Sequence, residues 1–478
     1  MPSTLNRMFH SVDSIIRSMW QCHTLEALKT FVSLPCKSPA FDADWEKHRY
    51  LHKAAYDAAQ WGAKLFPQAK FEVLEAQGRT PCLFFDIPAT SSTSTVSVLF
   101  YGHLDKQPET VGWTNGRAAF TPSVEDNRLY GRGCADDGYS VYAALTALYA
   151  LDQAGIERPR AIGIIETCEE TGSDDLSYWL TTLAPRCGHV AFVCVLDGSA
   201  GDYERLWATT SFRGMVATTL RVDILKNGVH SGTASGIVPD SFTLMRQLLD
   251  RFENSRTGEI LDRSFHTVPP AARVEQLRQT ANILTNYYQT NFPWVDRSHS
   301  RHASTFDNLL AQTWKPQLAV IGTDGLPSLQ DAGNVLRPYT ALRLSVRVPA
   351  HVDTQAALAS MEQTLTQSAP CDARVSLTDS IASDGWDAKP EQPWFAQAFE
   401  DASVELFGQS AAYLADGASI PILNRFEETF PCAQFLITGV LGPNSNAHGP
   451  NEMLRLDYVE KLTQAIARIV SHVPSEKL

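Results

Sequence analysis

The chain has 478 residues, which is too long for one compact core and predicts two domains. Its 44% hydrophobic and 19% charged residues are ordinary for a soluble globular protein. The formal net charge of -13 disfavours nucleic acid or an anionic membrane surface as the main partner.

Two features bear on the cellular compartment. No apolar run approaches the roughly 18–20 residues of a membrane span, and charged residues interrupt the N-terminal stretch, which leaves no signal-peptide core. The nine cysteines are scattered without a CxxC pair, so neither a disulfide framework nor a cysteine–zinc site is expected. These observations predict a cytoplasmic protein.

In the first part of the chain, apolar runs alternate with helical patterns. Strands are predicted at 71–75, 82–87, 96–101, 161–167 and 189–196, and helices within 1–65 and at 139–151. Strands that alternate with helices predict an α/β fold with a mixed, mostly parallel sheet flanked by helices.

The pattern changes near Arg213. Alternating segments at 215–225 and 340–348 predict half-exposed strands, 373–378 predicts a further strand, and helices are predicted at 240–252 and 354–366. The long polar stretch 256–334 offers only one helix, around 274–288. We therefore predict a small α+β domain at 213–385, inserted into a catalytic domain formed by 1–212 and 386–478.

Candidate metal ligands cluster after the apolar runs. They are His103 with Asp105, Asp136 in GRGCAD, the pair Glu169–Glu170, Asp197 in VLDGS, and His448 in SNAHGPNE. Each alone has an ordinary explanation, such as a helix cap or a turn. In open α/β sheets, however, ligands bind beyond the carboxyl ends of the strands. Acids and histidines at several strand ends therefore predict one shared site.

Two histidines and three carboxylates suit two divalent ions better than one. A shared carboxylate can bridge ions that lie roughly 3.5–4 Å apart, and such ions hold a bridging hydroxide and polarise a carbonyl. A general base must still move the proton to the leaving amine. Because adjacent glutamates point in different directions, one of them can bind metal while its neighbour acts as the base.

Eight motifs carry a resemblance to a known family. They are YGHLDKQP, LYGRGCADDG, ETCEETGSDDL, VLDGS, GVHSGTASG, SVRVP, DGASIPI and NAHGPNE, and they span about residues 90–460. In these motifs the chain resembles the dinuclear metallopeptidases of the M20 family, most closely the carnosinase-like cytosolic dipeptidases. The resemblance implies a zinc-exopeptidase-like fold, a lid domain that also forms a homodimer, and hydrolysis of dipeptides or similar short peptides.

The resemblance also implies the metal ligands. One ion would be held by His103 and Asp197, the other by Glu170 and His448, and Asp136 would bridge them. Zinc suits these ligands best, although manganese or cobalt is also compatible.

Roles for the remaining site residues follow from the same resemblance. Asp105 would fix the ring of His103, Glu169 would be the general base, and His230 would stabilise the oxyanion, from the partner subunit. The substrate would be bound by residues of the lid and of one loop: Asn334, Arg347, Gly417, Ala418 and Ser419.

The chain departs from the family pattern at two places. The family usually has a lysine after the two aspartates, in DDKG, whereas this chain has Gly138 and Tyr139 there, so the loop loses a cation. The usual glycine–glycine–serine loop is here Gly417-Ala418-Ser419, and the added methyl group would narrow the carboxylate pocket. Both changes bear on the substrate.

These residues also bear on other possible functions. An N-acyl-amino-acid deacylase would use the same metal site, and the sequence does not separate it from a dipeptidase. A non-catalytic metal-binding protein is disfavoured because Glu169 and all five ligands are present. A nucleotide-dependent enzyme is excluded because the dinucleotide fingerprint needs glycine at the position of Asp136. A serine hydrolase is excluded because a nucleophile elbow needs glycine two residues before the serine, and Asp197 occupies that position before Ser199.

Overall fold

The computed structural model describes residues 4–420 and 422–476. Its α-helices are α1 (Thr4–Met19), α2 (Leu25–Val32), α3 (Trp45–His48), α4 (Tyr50–Leu65), α5 (Tyr139–Ala154), α6 (Leu176–Cys187), α7 (Ser231–Ala234), α8 (Ser241–Phe252), α9 (Ala271–Ile283), α10 (Tyr287–Thr290), α11 (Thr305–Trp314), α12 (Thr354–Thr366), α13 (Pro393–Phe407), α14 (Ile422–Thr429) and α15 (Leu456–Ser471).

The strands, in chain order, are β1 (Lys70–Leu74), β2 (Cys82–Ile87), β3 (Ser97–His103), β4 (Ser123–Glu125), β5 (Arg128–Tyr130), β6 (Arg160–Glu166), β7 (Val190–Val195), β8 (Trp207–Phe212), β9 (Gly214–Asp223), β10 (Val229–His230), β11 (Glu253–Asn254), β12 (Glu259–Ile260), β13 (Gln317–Asp324), β14 (Val335–Leu336), β15 (Tyr339–Val348), β16 (Arg374–Ser383), β17 (Trp386–Asp387), β18 (Ala412–Asp416), β19 (Gln434–Ile437) and β20 (Met453–Arg455).

The largest sheet has six strands in the order β1-β2-β6-β3-β7-β19. The pairs β6–β3, β3–β7 and β7–β19 are parallel, whereas β1–β2 and β2–β6 are antiparallel. Crossover helices such as α5 and α6 connect the parallel strands, as parallel pairing requires. The prediction of a mixed, mostly parallel sheet flanked by helices is confirmed.

Strand β3 lies inside this sheet and is buried along its whole length. Val98 and Phe100 pack into the hydrophobic cluster on one face, and Leu99 and Tyr101 pack into the cluster on the other. A strand that is covered on both faces has a continuous apolar sequence instead of an alternating one. This burial explains the run VSVLFY and delivers His103 to the carboxyl edge of the sheet.

A second, four-stranded sheet has the order β13-β15-β9-β16, and all its pairs are antiparallel. Its inner side chains, such as Leu220 and Leu344, pack with α8 and α12 in a separate hydrophobic cluster. The alternating burial along β9 explains the alternating sequence that predicted it. The domain limits at 212/213 and 385/386 stay a prediction.

The stretch 256–334 contains three α-helices. The helix predicted around 274–288 overlaps α9 and the start of α10, whereas α11 was not predicted. Helices α9 and α11 pack on β18, which belongs to the small sheet β17-β8-β18. The hydroxyl of Thr280 donates to the carbonyl oxygen of Tyr413 over 2.5 Å, and Arg273 pairs with Asp387. Among residues 4–420 and 422–476, no helix has both the length and the hydropathy to cross a membrane.

Candidate metal centre

His103 ends β3 and is fully buried. Its Nδ1 atom lies 3.2 Å from the carbonyl oxygen of Asp105 and 3.4 Å from its Oδ1 atom. The Nε2 atom has no hydrogen-bond partner in the described part of the chain. It lies 3.3 Å from Asp136 Oδ1 and 3.8 Å from both Glu169 Oε2 and Asp197 Oδ2. This buried nitrogen, surrounded by carboxylates, is suited to bind a cation.

His448 approaches the same carboxylates from a different loop. Its Nε2 atom lies 3.0 Å from Asp136 Oδ2 and 3.1 Å from Glu170 Oε2. The two oxygens of Asp136 therefore face different histidines, as a bridging carboxylate would. His448 has a left-handed φ of 62°, a conformation in which histidine is enriched among non-glycine residues. Its side chain is 57% exposed, so the cluster opens to solvent on this side.

The carboxylates of the cluster are crowded and buried. Burial raises the pKa of Asp197 to about 7. The charge of His103 opposes this shift, and the charge of Asp136 adds to it. Burial and the charge of Asp197 raise the pKa of Glu169 well above its usual range. Burial and the charge of Asp136 likewise raise the pKa of Glu170. Such shifts mean that the cluster lacks positive charge, which divalent cations would supply.

The ligand atoms fit this requirement geometrically. His103, Asp136 and Glu170 have ligand atoms within 4.8 Å of one another, and so do His103, Glu169 and Asp197. Nitrogen and carboxylate oxygen together are the donor set of zinc and similar divalent ions. The five predicted ligands are thus brought together from five separate segments of the chain.

Asp105 has a wider structural role than the one the sequence predicted. Its Oδ1 atom accepts the backbone N–H of Glu169, and its Oδ2 atom accepts that of Glu170, both over 3.0 Å. One buried carboxylate therefore contacts the ring of His103 and also fixes the turn that carries both glutamates.

Two residues that support the site were not predicted. The buried carboxylate of Glu452 accepts the backbone N–H groups of Gly133, Ala135 and Asp136, and it pairs with Arg132 at 2.8 Å. It therefore holds the glycine-rich loop that presents Asp136. Glu452 stands in the motif NAHGPNE, but its partners lie more than 300 positions earlier in the chain, so local spacing gave no signal.

Gln107 is the second unpredicted residue. Its backbone N–H donates to Glu170 Oε1 over 3.2 Å, and its side-chain amide donates to Glu170 Oε2 over 2.7 Å. Gln107 follows Asp105 in the motif YGHLDKQP, which was the only available signal. The loop after β3 therefore supports both predicted metal positions.

The departure at Gly138 and Tyr139 has a steric explanation. A Cβ atom on Gly138 would lie 2.0 Å from the ring of Phe31, so no side chain fits there. Tyr139 is buried and its hydroxyl donates to the carbonyl oxygen of Leu196. A buried cation is nevertheless present, because Lys106 packs against Gly133 and donates to three carbonyl oxygens of residues 31–34. The loop keeps support from a lysine on another segment.

The predicted substrate-binding residues fall into two groups. The Nη1 atom of Arg347 donates to the hydroxyl of Ser419 over 2.7 Å, so the predicted arginine and the loop 417–419 are adjacent. His230 and Asn334 are exposed neighbours, because the backbone N–H of Ser231 donates to the carbonyl oxygen of Asn334. Within residues 4–420 and 422–476, no hydrogen bond or ion pair joins His230 or Asn334 to the metal cluster.

Comparison with known proteins identifies the family. The family described as Peptidase family M20/M25/M40 matches residues 99–472. The chain belongs to this family, and it is a peptidase. The predicted resemblance is therefore confirmed.

Relatives and a solved structure agree with this assignment. A cysteinylglycine-S-conjugate dipeptidase from Corynebacterium striatum is 26% identical over 381 residues, which cover 78% of this chain and 80% of the relative. A Beta-Ala-His dipeptidase from Homo sapiens is 23% identical over 480 residues, which cover 96% of this chain and 91% of the relative. The crystal structure of human carnosine dipeptidase 1 has a TM-score of 0.73 at 20% identity and covers 99% of both chains.

Proposed function

We propose that this peptidase hydrolyses dipeptides or similar short peptides at a centre of two divalent metal ions. The observation that carries the proposal is the position of Asp136, whose two oxygens lie 3.3 Å from His103 and 3.0 Å from His448. His103 and Asp197 would hold one ion, and Glu170 and His448 would hold the other. Zinc suits these ligands best, with manganese or cobalt as alternatives.

When bound, the two ions would lower the pKa of a water molecule and polarise the scissile carbonyl group. Glu169 would take the proton of that water and return it to the leaving nitrogen atom. Its carboxylate lies beside the ligands, 3.8 Å from His103 Nε2. This position beside the ligands supports the role.

Substrate binding would use residues outside the metal cluster. Arg347 and the loop of Gly417, Ala418 and Ser419 would bind the C-terminal carboxylate, which suits a guanidinium group beside a hydroxyl group. His230 would stabilise the oxyanion in the site of a partner subunit, with Asn334 beside it. This arrangement is supported by the exposure of both side chains and by their lack of a contact with the metal cluster among the described residues.

The partner subunit would be a second copy of this chain, bound through the inserted domain 213–385. Support comes from β13, an edge strand that exposes Val320 by 50% and Ile321 by 63%. Exposed apolar side chains on a sheet edge favour pairing with another surface. We also propose a cytoplasmic location, because the nine cysteines are all free. The net charge of -13 disfavours nucleic acid or membrane as a partner.

A substrate comparison tests this function. Chelated enzyme, reloaded with zinc, manganese or cobalt, would be assayed on dipeptides and on N-acyl amino acids with the same C-terminal residue. We expect metal-dependent cleavage of dipeptides, with N-acyl amino acids cleaved at least about tenfold more slowly. Preferential cleavage of N-acyl amino acids would mean that the enzyme is a deacylase and not a dipeptidase. Activity that survives chelation would contradict the metal mechanism itself.

A further inference from the structure

The loop after β18 lies between two arginines. On one side, Arg347 donates to the hydroxyl of Ser419. On the other side, Arg213 Nε donates to the carbonyl oxygen of Gly417 over 3.0 Å. The backbone N–H of Arg213 donates to the carbonyl oxygen of Ala418, also over 3.0 Å. Arg213 lies between β8 and β9, so its backbone is fixed by two sheets. The loop 417–419 is therefore held by a rigid part of the fold.

The guanidinium group of Arg213 is buried and incompletely paired. The residue is 9% exposed, and its Nη1 atom has no hydrogen-bond partner in the described ranges. Burial, and then the like charge of Arg347, lowers the pKa of Arg213 to about 10. Leaving a buried charged donor unpaired costs free energy, so this group is suited to receive an anionic acceptor.

The nearby negative charge is not sufficient to balance both arginines. Asp416 is the acidic group that acts on Arg213 and Arg347. Its Oδ1 atom accepts the backbone N–H of Ala418, and its Oδ2 atom accepts the hydroxyl of Ser199. Two guanidinium groups thus share one carboxylate, and a net charge of about one positive unit is left. A single substrate carboxylate would neutralise it.

Gly417 provides an independent steric observation. A Cβ atom at this position would lie 3.0 Å from Arg213 Nη2 and 3.2 Å from Gln312 Cγ. The space that a side chain would occupy is therefore taken by the guanidinium group. The absence of a side chain at Gly417 allows Arg213 to pack directly on the loop.

We propose that Arg213 is a positioning residue that makes the loop 417–419 selective for substrates with a free C-terminal carboxylate. It holds the loop so that Ser419 stays beside Arg347, and it adds a second positive charge that a neutral amide would leave unbalanced. This inference rests on the proposed function, which assigns the carboxylate to Arg347 and this loop.

The test compares a dipeptide with its C-terminal amide in wild type, Arg213→Gln and Arg213→Lys. Loss of a buried charge-assisted interaction should raise the dipeptide KM of Arg213→Gln by about 10- to 150-fold. The KM for the amide and both kcat values should change by less than about threefold. Arg213→Lys keeps the charge but loses the fork geometry, so it should recover part of the discrimination between the two substrates.

A matched control is Arg158→Gln, which removes another buried arginine, one paired with Asp152. This control should lower Tm without changing the ratio of the two KM values. Equal losses on both substrates in Arg213→Gln, or no loss on either, would overturn the inference. If Arg213→Gln does not fold, the test uses the ratio of the amide KM to the dipeptide KM in Arg213→Lys. A ratio equal to that of wild type overturns the inference.

A binding measurement separates this inference from the proposed function. Glu169→Gln protein, with and without Arg213→Lys, would be titrated with the dipeptide and with its amide in a calorimeter. A loss of discrimination on Arg213→Lys supports the inference even if the wild type cleaves neither compound. Unchanged discrimination contradicts it even if dipeptides are good substrates.

Discussion

The support that Glu452 gives to the metal centre can be tested with Glu452→Gln. This change keeps the shape of the side chain but removes the charge that faces Arg132, whose side chain is 1% exposed. Breaking a buried ion pair from one side costs about 3–5 kcal/mol. We expect the lower end of this range, because Arg132 keeps the carbonyl oxygens of Pro108 and Gly449 as partners.

The assay is urea unfolding of the chelated protein, so that metal binding does not contribute to the free energy of unfolding. A metal titration of the same protein should give an affinity lower by about 10- to 100-fold, because Glu452 also positions Asp136. The control is Glu405→Gln, which removes a 48%-exposed partner of Arg468 and should cost at most about 1 kcal/mol. The reasoning would be refuted if the free energy of unfolding of Glu452→Gln lay within about 0.5 kcal/mol of the wild-type value and the metal affinity were unchanged.

Three further predictions concern pH, metal and the dimer. Burial raises the pKa of Glu166 to about 7, against a stabilising hydrogen bond from Tyr101. Between pH 4.5 and 7 the unfolded chain is ionised here and the folded chain is not, so the free energy of unfolding of chelated protein should fall by about 3 kcal/mol as pH rises. Urea titrations of Glu166→Gln should show a slope smaller than that of wild type by this contribution, because Asp197 keeps its own raised pKa in the chelated protein; an unchanged slope would exclude Glu166 as a source. Chelation should lower Tm, and zinc at about 100 times its Kd should restore about 2.7 kcal/mol of the free energy of unfolding. A Tm that does not change when zinc is added would argue against a metal site in the folded state. Mixed His230→Ala and Glu169→Gln subunits should regain activity that neither variant has alone, whereas no recovery would indicate that His230 acts within its own subunit.

Three of the proposed metal ligands could be placed from the sequence because they follow a local rule. His103 is the last residue of the buried strand β3, Glu170 and Asp197 follow the buried strands β6 and β7 within a few residues, and the carboxyl ends of parallel strands meet at one edge. The buried strands were themselves evident, since burial on both faces requires continuous apolar runs. Local pattern and shared topology were therefore sufficient for this part of the site.

The supporting residues could not be predicted because their partners are distant in the chain. Glu452 looks like a solvated acid until the loop at Gly133 is folded against it. Arg213 marked only the point where the sequence pattern changes, and its contact with Gly417 depends on the packing of two sheets. Helix α9 was predicted only approximately, around 274–288, because it has few buried apolar residues and attaches to β18 partly through the polar contact of Thr280.

The most direct test of the metal-centred mechanism is a joint measurement on Glu169→Gln. Metal content per chain would be measured by elemental analysis, and kcat would be measured on the best dipeptide substrate. We predict two metal ions per chain, as in wild type, and a kcat reduced by about 10²- to 10⁴-fold, because the general base is lost while the ligands stay. A kcat within about tenfold of wild type would contradict the role of Glu169, and a loss of metal would mean that Glu169 is itself a ligand.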